Sequence, residues 1–107
     1  MNQYILAVSS DNILSPTALF DPTEVDGKIA ELQDNLNLHD YCLETFHELT
    51  HAKNRMPVGS VVQLGDIDLV LMEETYPVDY ELLETIAKIR EYISDYPDYG
   101  FFYTYTA

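Results

Sequence analysis

From Pro57 to Ala87 the chain carries seven carboxylates, Asp66, Asp68, Glu73, Glu74, Asp79, Glu81 and Glu84, and no basic residue. The segment itself holds no Lys or Arg to neutralise them, and unpaired charge is costly to bury. On the folded surface these carboxylates could form a continuous band. A second unbalanced stretch follows Arg90, with Glu91, Asp95 and Asp98. Over all 107 residues, 19 Asp and Glu stand against five Lys and Arg, a formal net charge of −14. A hydrophobic content of 47% separates the chain from disordered acidic tails, and its length suits one domain, residues 1–107.

Such a charge balance repels nucleic acid and anionic membranes and attracts basic proteins or cations. The lone Cys42 cannot form an intramolecular disulfide. No run approaches the roughly 18 apolar residues that span a bilayer. A soluble, cytoplasmic protein is the expectation.

Hydropathy patterning predicts an α+β domain in the order β-α-α-β-β-α-β, with a mostly antiparallel sheet and helices packed on one of its faces. Tyr4–Val8 is an apolar block that reads as a central strand. Ser9–Phe20 reads as a loop. Asp21-Pro22-Thr23-Glu24 resembles a helix start, with Val25, Ile29, Leu32 and Leu36 following on one helical face. A second helix is expected from about Leu38 to Asn54, with Leu38, Cys42, Phe46 and Leu49 as its core stripe. Val61–Leu64 and Ile67–Leu71 flank Gly65-Asp66, a two-residue hairpin signal. Asp79 caps a third helix, where Val78 and Leu83 can staple and Leu82, Ile86, Ile89 and Ile93 turn inward. The aromatic tail Phe101–Tyr105 reads as a last strand docked on the sheet.

His47-Glu48-Leu49-Thr50-His51 matches the HExxH signature of the zincin metalloproteases. That resemblance implies zinc held by His47 and His51, with Glu48 as general base and Glu73, Glu74, Glu81 or Glu84 as candidates for the third ligand. The helical wheel opposes it, because both histidines fall opposite the apolar stripe and face water. Surface ion pairing with Asp40, Glu44 and Glu48 accounts for them as well. The leading expectation is accordingly no catalytic residue and no cofactor, with the zinc hydrolase as an alternative.

In size and charge the chain resembles the small acidic proteins, often encoded by phages or mobile elements, that imitate nucleic acid and inhibit DNA-binding proteins. Helical carboxylates three or four residues apart have Cβ atoms about 5–6 Å apart, and each strand of a duplex carries a phosphate about every 3.4 Å of axis. A row of such groups can stand in for phosphates. Seven of the nine tyrosines lie from Tyr76 onward, many beside acidic residues, a combination suited to Arg- or Lys-rich partners. The expected contact surface comprises Asp66, Asp68, Glu73, Glu74, Asp79, Glu81, Glu84, Asp95, Tyr96, Asp98 and Tyr99. The expected partner is a basic, nucleic-acid-binding protein. An immunity or antitoxin-like module that neutralises a basic toxin is the alternative with the same electrostatics.

Overall fold

The computed structural model describes residues 1–9, 27–51 and 55–107. Among them the order is β1 (Asn2–Ser9), β2 (Gly27–Gln33), α1 (Leu36–Thr50), β3 (Val62–Leu64), α2 (Asp66–Thr75), α3 (Tyr80–Asp95) and β4 (Tyr99–Thr106). The fold is α+β, with an antiparallel sheet in the strand order β2-β1-β4-β3. β1 and β4 form its centre and pair along their whole lengths, from Asn2 opposite Thr106 to Ser9 opposite Tyr99. The first and last elements thus hold the sheet together, and both behave as their apolar, β-prone sequences require.

Alternation along the strands divides their side chains between two faces. Ile5, Phe101, Tyr103 and Tyr105 share one buried cluster with Leu38, Cys42 and Phe46 of α1, Leu69 and Met72 of α2, and Leu82, Ile86 and Ile89 of α3. All three helices therefore bury against the same sheet face. Leu6, Val8, Val61 and Phe102 form a smaller buried cluster on the other.

Two elements exchange identity relative to the sequence expectation. Gly27–Gln33 is not part of a helix but an edge strand paired with β1. Its Ala30 and Leu32 are buried between exposed Glu31 and Gln33, yet a register shift opposite Ile5 and Leu6 interrupts that alternation upstream. The bulge conceals the period of two and leaves Ile29 and Leu32 at an accidental helical spacing. The expected helix start Asp21–Glu24, Val25 and most of the Ser9–Phe20 loop lie outside the described residues.

The second exchange is at Gly65-Asp66, which starts α2 instead of turning a hairpin. The Gly65 N–H donates to the Asp68 carboxylate at 2.7 Å, and Leu69 and Met72 point inward at helical spacing. Asp66 and Asp68 also suit the positive end of the helix dipole. Local capping thus outweighs the β-propensity of Ile67–Leu71.

Smaller corrections concern helix ends and faces. Asn35, ahead of the expected start at Leu38, caps α1, accepting from the Leu38 N–H at 2.9 Å. α1 stops at Thr50, short of the expected Asn54, and Leu49 is 49% exposed instead of lying in the core stripe. Asp79 caps α3 as expected, accepting from the Leu82 N–H at 3.0 Å. Val78 is 77% exposed and staples nothing. No helix of the described residues is long and apolar enough to cross a membrane.

Candidate functional site

The starts of α1 and α3 meet at one end of the sheet, and a hydrogen-bond network joins them. Asn35 donates through Nδ2 to Asp79 Oδ2 at 3.2 Å and to Glu81 Oε1 at 3.0 Å. Asn37 donates to the same Asp79 oxygen at 2.9 Å. Burial alone would raise the Asp79 carboxyl, but donation from the Leu82 N–H, Asn37 and Asn35 outweighs it and holds the pKa below the ordinary value. Asp79 is ionised and fixed in position.

Beneath this junction lies a polar chain that sequence reasoning missed. Gln3, fully buried on β1, accepts from the Asn35 N–H at 2.7 Å and donates to the Asn35 carbonyl at 2.9 Å and to the Tyr103 hydroxyl at 3.1 Å. Tyr103 in turn lies 2.8 Å from His39 Nδ1. Because Gln3 already donates to the Tyr103 oxygen, the phenolic proton is directed to a neutral His39. The available signal was Asn35 three residues before Leu38, an N-cap pattern. Nothing in the sequence pointed to Gln3.

The α2–α3 turn brings in carboxylates of α1. Tyr76 is partly buried there, and its hydroxyl pKa is raised by burial first and then by the negative charge of Asp40 and Glu44. Tyr41, also on α1, donates to Asp68 Oδ1 at 2.5 Å. Asp40 and Glu44, which the sequence assigned to pairing with histidines, therefore border the same acidic surface as the α2 and α3 groups.

The expected contact residues divide by what holds them. Asp68 and Asp79 are half-buried helix caps, and Glu73 is paired with Arg90. Asp66, Glu74, Glu81 and Glu84 are exposed. Glu81, Glu84, Glu91 and Asp95 follow one outer face of α3, a rise of about 21 Å from first to last. Lys88 falls within that row, however, and Lys28, Lys88, Glu91, Tyr92 and Asp95 line a common hollow of about 240 Å³. The far end of α3 is mixed in sign, whereas α2 and the first half of α3 present negative charge with Arg90 tied to Glu73.

Tyr96 and Tyr99 stack with ring centroids 5.6 Å apart, and Tyr92 lies 4.8 Å from Tyr96. Tyr96 is half-exposed and Asp95 and Asp98 beside it are exposed, so this aromatic group sits at the mixed-sign end. Gly27 permits its placement, because a Cβ there would come within 3.0 Å of the Tyr92 hydroxyl.

The HExxH segment does not keep the geometry its resemblance requires. The helix ends at Thr50, and His51 adopts a left-handed conformation with φ of 56°. His47 is half-buried with its ring 6.3 Å from that of Phe46, and Glu48 is exposed. The two imidazoles therefore do not follow one another on a continuous helical face. Among the described residues no three His, Cys, Asp or Glu side chains gather as a metal-binding set, the candidate glutamates included.

No protein-family model, curated protein or solved structure matches this chain.

Proposed function

We propose that this protein is a non-enzymatic acidic antagonist that binds the basic surface of a nucleic-acid-binding protein, offering carboxylates where that surface holds phosphates. The observation that carries the reading is the gathering of carboxylates around the Asn35–Asp79 junction and the Tyr76 turn, where Asp79 and Glu81 at the start of α3 meet Asn35 and where Asp40 and Glu44 of α1 act on Tyr76. A net charge of −14 supports it, since self-repulsion of that size opposes compact folding unless a partner or a solubility demand maintains it. The carboxylates replace phosphates without a base sequence, so recognition follows the partner's charge layout. Exposed Tyr80 and Val78 beside Asp79 add apolar contact of the kind that anchors interfaces.

The test is capture from a lysate of the source organism on immobilised protein, washed at rising salt, beside a variant with Asp66, Glu74, Glu81 and Glu84 changed to amides. These positions are chosen because they hold no helix cap. The expected result is a basic nucleic-acid-binding protein retained by the native chain, released by salt and absent from the folded variant. Equal retention by the variant would show that the acidic face only solvates the fold. Retention that salt releases but added duplex leaves unchanged would favour the immunity-like alternative, which shares the electrostatics.

A further inference from the structure

α2 is apolar on two sides. Leu69 and Met72 enter the core, while Ile67, Val70 and Leu71, at i, i+3 and i+4, are 65%, 41% and 41% exposed on the outer face, with Glu74 completing the stripe at i+7. A ten-residue helix with a second apolar stripe is the pattern of an element covered from both sides. Beside the stripe a groove of about 290 Å³ runs between α2 and α3, lined by Asp66, Leu69, Val70, Arg90 and Ile93. Its cation, Arg90, is paired with Glu73 and also feels Asp66. The floor is apolar and the surrounding charge is negative.

We propose that this groove is the docking site for a basic amphipathic helix of the partner, with apolar side chains against Val70, Leu69 and Ile93 and Lys or Arg side chains toward Asp66 and Glu74. The choice of occupant rests on charge complementarity: α2 carries Asp66, Asp68, Glu73 and Glu74 and no basic residue. The inference depends on the acidic-face reading for the partner's sign, and adds the shape of the segment that binds and the place where it lies. A flat phosphate-binding surface has no use for an apolar groove. A helix that enters it lays apolar anchors at i, i+3 and i+4 along the floor.

The probe is a short synthetic amphipathic helix made only of Leu and Lys, compared with its counterpart in which every Leu is Ser. Each is titrated into isotope-labelled protein while amide resonances are followed. The Leu/Lys peptide is expected to saturate, to shift residues 66–71 and 90–93, and to survive salt that removes the Ser/Lys peptide. Ile67→Ser with Val70→Ser, both exposed and so compatible with the fold, is expected to weaken the Leu/Lys peptide about tenfold and leave the Ser/Lys peptide unchanged. Equal binding of the two peptides, untouched by the double variant, would overturn the groove while leaving the acidic face intact. Binding of neither at low salt would overturn both. Self-association of the protein alone, abolished by the double variant, would mean that a second copy fills the groove and would also overturn the proposal.

Discussion

Gln3 shows how much of this molecule depends on single polar contacts. Its side chain ties β1 to the backbone of Asn35 and to Tyr103, and through Tyr103 to His39, so that strand, helix cap and imidazole form one hydrogen-bonded unit. His39 is its titratable end. Burial lowers its pKa; Asp40 acts against that shift and Arg55 with it, and the net direction is down. The folded protein therefore binds this proton less readily than the unfolded chain, so stability from this site is complete above the unfolded value of about 6.5 and is lost as pH falls below it toward the lower folded value. Protonation at Nδ1 would also put a donor opposite the Tyr103 hydroxyl. Chemical denaturation across this range should show stability falling with pH in the native protein, with a smaller slope in His39→Asn, which keeps a polar group near Nδ1 but does not titrate. Equal slopes would assign the pH dependence elsewhere.

At the scale of elements, caps decided what the hydropathy pattern left ambiguous. Asp79 was legible because an N-cap aspartate precedes a clean stripe, Leu82, Ile86 and Ile89, and each of these is buried. Asp79→Ala should cost about 1 kcal/mol through the lost cap, and somewhat more because Asn35 and Asn37 lose their acceptor. Urea denaturation measures it, and an unchanged midpoint would refute the structural role. β1, β4 and the Leu38–Cys42–Phe46 stripe were legible for the same reason, a strong pattern with a single solution. β2 was not, because its bulge at Ile29 erases the alternation, and α2 was not, because Ile67–Leu71 satisfies strand and helix equally until Asp68 caps Gly65. The acidic surface was half legible. Composition revealed its charge, but the arrival of Asp40 and Glu44 beside Tyr76 depends on the packing of α1 against the α2–α3 turn, which no local pattern encodes.

For the whole molecule, the arrangement of charge matters more than its sum. The Debye length at physiological salt is about 8 Å, shorter than the 12.8 Å radius of gyration, so a partner senses the face it approaches and not the full −14. Carboxylates dominate α2 and the start of α3, with Arg90 tied to Glu73, while the far end of α3 mixes Lys28 and Lys88 with Glu91 and Asp95. The proposed antagonist would meet its partner with its α2–α3 side. The most direct measurement is fluorescence anisotropy of a labelled duplex bound to the captured partner while this protein is titrated in at several salt concentrations. Complete, competitive release of the duplex is expected, weakening steeply with salt and absent for the amide variant. A ternary complex in which duplex and protein bind together would contradict it.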